Sequence, residues 1–157
     1  MKRETLFLKI VVFMIGLPIF ALCIIGLPWL VNNPVNSEYG PIIYPIVIGL
    51  YVSVIPFYIA LSKAFRLLSY IDKNISFSEL SVRALKHIKY CAITIDALYV
   101  AMMPFIFLLA DKDDAPGAII IGMAPIFAST VIAVFAAVLQ KLLKNAIDIK
   151  SENDLTI

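Results

Sequence analysis

Charge, histidine and cysteine are scarce in this sequence, and their scarcity excludes most kinds of catalytic or metal-binding protein. Charged residues make up 15% of the 157 residues, against roughly 25% in an ordinary soluble domain. The chain has one histidine and two cysteines without Cys-x-x-Cys spacing, so it carries no metal or redox motif. His-Glu-x-x-His, Gly-x-Ser-x-Gly and glycine-rich phosphate loops are also missing. We therefore expect a protein that is not an enzyme, with no catalytic residue, no metal site and no cofactor.

Hydrophobic residues take the place of the missing charge and make up 62% of the chain. They form four runs of 21 to 25 residues, at 10–31, 41–62, 90–110 and 115–139. About 20 apolar residues in a helix cross a hydrocarbon core of roughly 30 Å. The pattern predicts an all-α integral membrane protein, a single domain over residues 1–157 whose four transmembrane helices lie in the lipid bilayer.

Lysine and arginine predict the orientation of these helices. Twelve of the thirteen basic residues lie before residue 10, within 63–89 or within 140–157, and only Lys112 lies on the other side. The positive-inside rule places the basic side in the cytoplasm. It predicts an N-in/C-in topology, a cytoplasmic helical hairpin at 63–89 between helices 2 and 3, and a cytoplasmic tail at 140–157. The net charge of +2 then reflects topology, so we expect no direct binding of nucleic acid.

The segment "YIDKNISFSEL" at 70–80 has the residues of an ordered turn between two helices. Asn74 predicts a left-handed helix stop, because asparagine tolerates positive φ better than most residues. Ser76 and Glu79 have the spacing of a capping box, with Ser76 as the N-cap. This pattern predicts that the third helix begins near Phe77 and that the hairpin is ordered.

Asp96 is the one carboxylate inside an apolar run. A carboxylate inside the membrane is costly and by default suggests a function. At its depth it can meet the hydroxyl of Tyr99, Tyr58 or Thr130. Two interpretations stay open: a role in proton or ion coupling, and a polar tie between helices.

Small residues recur four apart on the last apolar run, at Ser129, Ala133 and Ala137. This spacing lets another helix approach closely. The partner is either a helix of the same chain or a second protomer in a homo-oligomer.

The sequence "LLSYIDKNISFSELSVRALKHIKY" at 67–90 resembles a segment of the YoaS-like proteins, a family of small bacterial four-helix membrane proteins of unknown function. Members tend to have Ile-Asp-x-Gly-x-Pro-Phe-Ser before a basic amphipathic helix. Ile71, Asp72, Phe77 and Ser78 match this motif, while an asparagine and a serine replace its glycine and proline. The acidic ending at 152–157 is similar too, and the resemblance extends over essentially the whole chain.

The resemblance implies a multi-pass protein of the bacterial plasma membrane that regulates rather than catalyses. Family members often look like the membrane half of a pair whose other half is a small Cro/CI-type helix-turn-helix DNA-binding protein. The surface that would contact this partner comprises Asp72, Phe77, Arg83, Lys86, His87, Glu152, Asp154 and Ile157. The alternative is a small transporter or immunity-type pump that uses Asp96 and proline-kinked helices.

Overall fold

The computed structural model describes residues 2–33 and 38–155, which form four long helices joined by short turns. The helices are α1 (Lys2–Asn32), α2 (Gly40–Asp72), α3 (Glu79–Lys112) and α4 (Gly117–Leu155). Each contains a stretch long and apolar enough to cross a membrane. At 31 to 39 residues, the helices are about 46 to 58 Å long. They therefore exceed the hydrocarbon core of roughly 30 Å and extend beyond it. For the described residues the prediction of an all-helical protein is confirmed, with four helices long and apolar enough to span a membrane.

The helices pack in chain order. Helix α1 packs against α2, α2 against α3, and α3 against α4. Among the described residues, α4 makes no direct packing contact with α1 or α2. The four helices thus form an open array in which α2 and α3 are central, and α1 and α4 are the edges.

Two glycines let the neighbouring helices approach α3 closely. A side chain at Gly49 of α2 would overlap the Met102 thioether, and a Cβ at Gly122 of α4 would lie 2.9 Å from Ile106 Cδ1. Met102 and Ile106 are both buried. Close approach at small residues is how membrane helices gain van der Waals contact. Bulky side chains of α3 therefore fit against small residues on both sides.

The predicted row of small residues on α4 takes part in this packing. Ser129 is 8% exposed, and Ala133 and Ala137 are half-buried. Ala136, which sequence reasoning did not select, is the more deeply buried alanine at 4%. Among the described residues α4 packs only on α3, which is the neighbour that these small residues have within the chain. The alternative of a second protomer stays a prediction.

The turn between α2 and α3 begins as predicted and ends differently. Asn74 has φ 59°, and the Asn74 and Ile75 amides donate to the carbonyl oxygens of Ile71 and Tyr70. These two bonds form a Schellman motif with asparagine in the left-handed position. The prediction of a helix stop at Asn74 is therefore confirmed.

The prediction of Ser76 as the N-cap is wrong. The N-cap is Ser78, which is extended at φ −141° and ψ 161°, and α3 begins at Glu79 rather than near Phe77. The Ser78 hydroxyl donates to the Ile75 carbonyl oxygen at 2.6 Å, which closes a turn that contains Ser76. Glu79 is thus the first residue of the helix and cannot act as the third residue of a capping box.

The opposite end of the array is tied together by side chains. Tyr39 donates a hydrogen bond to Asp113 Oδ1 at 2.7 Å, and Lys112 Nζ donates to the Glu38 carbonyl oxygen at 2.7 Å. Lys112 Nζ also lies 4.7 Å from the centre of the Tyr39 ring. These contacts link the start of α2 to the end of α3. The hydrogen bond to Asp113 and the negative charge of its carboxylate raise the pKa of Tyr39 above its usual value of 10.0.

Candidate functional site

A polar cluster joins the start of α1 to the end of α2. Lys9 Nζ lies 2.8 Å from Asp72 Oδ2, and the Thr5 hydroxyl donates to Asp72 Oδ1. Thr5 is 4% exposed, and the Lys9 and Asp72 side chains are 22% and 21% exposed. Asp72, which the sequence suggested for a partner surface, is therefore engaged within the chain.

Sequence reasoning missed Thr5 and Lys9 as partners of Asp72. A signal was available, because positions 5 and 9 are one turn apart and lie on the same face of a helix. Lys9 is also the last charge before the first apolar run. What the sequence lacked was any indication that this face meets the end of α2.

The turn before α3 and the first turns of this helix expose an apolar and basic surface, formed by Phe77, Leu80, Arg83, Lys86 and His87, which we call the hairpin surface. Phe77 is 59% exposed and Leu80 is 45% exposed. The opposite side of the same turns is buried against the other helices through Ser81, Val82, Ala84 and Leu85. The structure therefore brings together four of the predicted partner-surface residues and adds Leu80.

The described part of the acidic tail is helical. Helix α4 continues to Leu155, and residues 148–155 are exposed along it, including Glu152 and Asp154. Thr130 of α4 lies opposite Asp96 of α3. Because these two helices run in opposite directions, the start of α3 lies opposite about residue 147 of α4. The last eight described residues of α4 therefore extend about 12 Å beyond the start of α3. Ile157, which was also predicted for the partner surface, lies outside the described residues.

The predicted intramembrane polar site is only partly assembled. Thr130 Oγ1 lies 2.8 Å from Asp96 Oδ2 and 2.8 Å from the Ile126 carbonyl oxygen, and its single proton serves one of them at a time. Asp96 Oδ1 is buried without a hydrogen-bond partner among the described residues. The pair bridges α3 and α4.

The two tyrosines of the predicted set lie elsewhere. Tyr58 donates to the Gly16 carbonyl oxygen at 2.7 Å and so links α2 to α1. The Tyr99 hydroxyl lies 3.4 Å from Ser53 Oγ, which links α3 to α2. Hydroxyl groups therefore connect each pair of neighbouring helices, and within the described part of the chain only Thr130 lies within hydrogen-bond distance of Asp96.

A cavity of about 690 Å³ lies between the helices and is lined by residues of all four. Its walls are mostly aliphatic and aromatic side chains, such as Leu22, Phe57 and Ile132. The Tyr51 hydroxyl, on the same wall, donates to the Cys23 carbonyl oxygen at 3.0 Å. Sequence reasoning did not predict this cavity, which depends on how the helices are placed relative to one another.

The described residues show no metal chemistry. Cys23 and Cys91 are free thiols, and no group of three or more histidine, cysteine, aspartate or glutamate side chains is close enough to hold a metal ion in the described part of the chain.

Comparison with known proteins places the chain in a family. A family model described as "Protein of unknown function (DUF2975)" matches residues 29–157. The chain is 61% identical over 160 residues to the uncharacterized membrane protein YoaS of Bacillus subtilis (strain 168), with 99% of each chain covered. No solved structure matches. The resemblance to YoaS-like proteins is confirmed, and the chain belongs to the DUF2975 family of membrane proteins.

Proposed function

We propose that the protein is a non-enzymatic regulator in the bacterial plasma membrane that binds a cytosolic protein through its hairpin surface. In this proposal both termini and the turn between α2 and α3 lie in the cytoplasm. The distribution of charge supports this orientation, because twelve of the thirteen basic residues lie toward that end of the helices.

The observation that carries the proposal is the exposure of an ordered apolar and basic surface next to the membrane-spanning segments. Phe77 and Leu80 are exposed at the turn between α2 and α3. Backbone hydrogen bonds hold this turn at the end of α2 and at the start of α3. A preorganised surface loses little conformational entropy when it binds. Aromatic and arginine side chains are also enriched where protein interfaces gain most of their energy.

The partner class comes from the family resemblance, which points to a small Cro/CI-type helix-turn-helix protein. Arg83 and Lys86 would face an acidic patch on that protein, and opposite charges of this kind speed association. The membrane protein would hold the regulator at the membrane without contacting nucleic acid itself. The exposed end of α4 at 148–155 extends on the same side and offers a second contact.

Crosslinking in the native bacterial cell tests this proposal. The tagged full chain is crosslinked, purified in mild detergent and examined by mass spectrometry for a co-purified helix-turn-helix protein. We expect Arg83→Glu/Lys86→Glu to reduce capture at least about tenfold, as truncating interface hot spots does. The matched control is Lys141→Glu/Lys144→Glu, which reverses two exposed charges on the same side of the membrane, and it should leave capture unchanged.

Two results would contradict the proposal. One is equal capture by both double variants, which would show that the hairpin surface does not select the partner. The other is a hairpin that crosslinks only to lipid, with no soluble protein retained by the full chain.

Transport is the second candidate function, and Asp96 favours it. Its Oδ1 atom is buried without a partner among the described residues, as expected of a carboxylate that exchanges a proton or an ion. In vesicles with the purified protein, Asp96→Asn should then abolish proton movement, measured with an internal pH dye. Thr130→Ser keeps the hydroxyl group beside Asp96 and should retain proton movement. If Asp96→Asn leaves proton movement and partner capture unchanged, Asp96 is a structural tie between α3 and α4.

A further inference from the structure

The central cavity opens sideways along the membrane-spanning part of the chain. Leu22 and Gly26 of α1 line one edge, and Ala128 and Ile132 of α4 line the other. The described residues of α1 and α4 do not pack on each other, so no helix contact closes this side. All four residues belong to stretches that are apolar enough to cross a membrane. The opening therefore faces hydrocarbon, and a molecule that enters there comes from the lipid.

The cavity walls suit an apolar guest. The Ser53 hydroxyl donates to the Leu50 carbonyl oxygen at 2.7 Å and lies 3.4 Å from the Tyr99 hydroxyl. These two hydroxyls, like that of Tyr51, are thus already engaged within the protein and would make poor partners for a polar solute or for water. An empty apolar space of about 690 Å³ would forfeit the van der Waals contacts of its lining.

The cavity is longer than one leaflet of a bilayer. Along α2 the lining runs from Ala64, at the hairpin end, to Val47. These two residues are about 26 Å apart along a helix. Half of a hydrocarbon core of roughly 30 Å is about 15 Å. A single acyl chain that begins at the hairpin end therefore fits within the cavity.

Two lysines lie next to the hairpin end of the cavity without lining it. Lys63 precedes Ala64, and Lys89 follows Ile88, which are lining residues of α2 and α3. Both lysines are half-buried, and among the described residues neither has a carboxylate within 4.0 Å. This arrangement favours a negatively charged head group.

We propose that the cavity binds one acyl chain of an anionic phospholipid, which enters between α1 and α4 and places its phosphate at Lys63 and Lys89. This inference is independent of the proposed regulatory function. It assigns a ligand to the cavity that all four helices line.

Native mass spectrometry of the delipidated full chain tests the proposal. Phosphatidylglycerol and phosphatidylcholine with identical acyl chains are added separately in detergent, and the bound lipid per chain is counted. We expect one tightly held phosphatidylglycerol and weaker binding of phosphatidylcholine. Ala128 lines the cavity at an exposed position of α4, so the larger side chain of Ala128→Phe fills part of the cavity. This variant should weaken phosphatidylglycerol binding at least about tenfold, because a few methylene groups of the acyl chain lose their burial. Ala101→Phe, at an exposed position of α3 outside the cavity, should leave binding unchanged.

A second pair of variants tests the head-group site and does not depend on filling the cavity. Lys63→Gln should reduce the preference for phosphatidylglycerol about fivefold, the effect of one basic residue beside anionic lipid. Lys86→Gln removes an exposed charge of the hairpin surface and should leave the preference unchanged. Equal binding of the two lipids by the wild-type chain would overturn the proposal. A lipid-free dimer would overturn it as well, because a second copy would then close the opening.

Discussion

The aspartates Asp72, Asp96 and Asp113 show how differently carboxylates are used along this chain. Asp72 is paired with a lysine and a threonine of α1, while Asp113 accepts a hydrogen bond from a tyrosine at the opposite end. Asp96 lies between α3 and α4, with one oxygen near Thr130 and the other buried. Two of the three therefore serve as ties at the helix ends, and Asp96 is the one within a membrane-spanning segment.

Removing the Asp72 carboxylate should loosen α1 from the rest of the protein. Asp72→Ala removes the acceptor shared by Thr5 and Lys9, and a partly buried, charge-assisted contact of this kind contributes about 1–3 kcal/mol. We expect a lower midpoint of thermal unfolding in detergent. The control is Asp111→Ala, because Asp111 is exposed at the end of α3 and lies outside this cluster. An unchanged midpoint for Asp72→Ala would show that the cluster does not stabilise the fold.

The hydrogen bond between Tyr39 and Asp113 should make stability depend on alkaline pH. The carboxylate raises the pKa of Tyr39 in the folded chain above the unfolded value of 10.0, so folding favours the protonated phenol. The hydrogen bond therefore contributes its full stabilisation of the fold below the pKa of Tyr39 in the unfolded chain. This stabilisation is lost as the pH rises through the higher pKa of Tyr39 in the folded chain. We expect the unfolding midpoint of the wild type to fall more than that of Tyr39→Phe between pH 9 and about 11. Parallel pH curves for the two proteins would contradict this role.

At the scale of elements, α3 organises the array. It packs on both α2 and α4, and it contributes more buried residues than any other described helix. The contacts on its two sides are alike, because Met102 lies against Gly49 and Ile106 lies against Gly122. Small residues on the neighbours and bulky residues on α3 thus set the spacing of the three helices.

Replacing Gly49 should disturb this packing. A Cβ at Gly49 would overlap Sδ of Met102 and lie 2.8 Å from its Cγ, so the side chain must shift away from the helix interface. We expect Gly49→Ala to destabilise the protein by about 1–3 kcal/mol, the usual cost of overpacking. Gly117→Ala is the matched control, because nothing lies within 4 Å of a Cβ at that position. Both are measured by thermal unfolding in the same detergent, and equal midpoints would refute the packing argument.

For the whole molecule, the main consequence is an array with two different edges and a cavity between them. Helix α1 is the more exposed edge, with none of its most apolar window buried. In a bilayer this exposed surface contacts lipid, which carries no hydrophobic penalty. The open side between α1 and α4 is therefore compatible with a stable membrane protein.

The orientation of the molecule can be tested by labelling single cysteines on intact cells. Ser151→Cys and Asp114→Cys place thiols at opposite ends, in a background where Cys23 and Cys91 are changed to alanine. The positive-inside rule predicts that a membrane-impermeant maleimide labels position 114 before lysis and position 151 only after lysis. The opposite pattern would invert the topology and place the hairpin surface outside the cell.

Several local features were predictable because they depend on short stretches of sequence. The left-handed stop at Asn74 follows from the backbone preference of asparagine and was predicted correctly. The N-cap prediction is wrong because Ser76 and Ser78 are both suitable caps by residue type, and in the fold Ser78 is the extended residue that precedes Glu79. Thr130 was predicted as a partner of Asp96 from depth alone, and Tyr58 at a comparable depth turned out to face α1 instead.

The sequence by itself determined that the chain forms four helices long and apolar enough to span a membrane, because hydropathy adds up along each segment and a backbone in lipid must satisfy its own hydrogen bonds. Only the tertiary structure decided which helices are neighbours, which side of each helix faces inward and where the cavity opens. These properties depend on the rotation of each helix about its axis and on contacts such as Lys9 with Asp72, which lie 63 residues apart in the sequence. Such contacts arise from packing between whole helices, and no local pattern of residues encodes them.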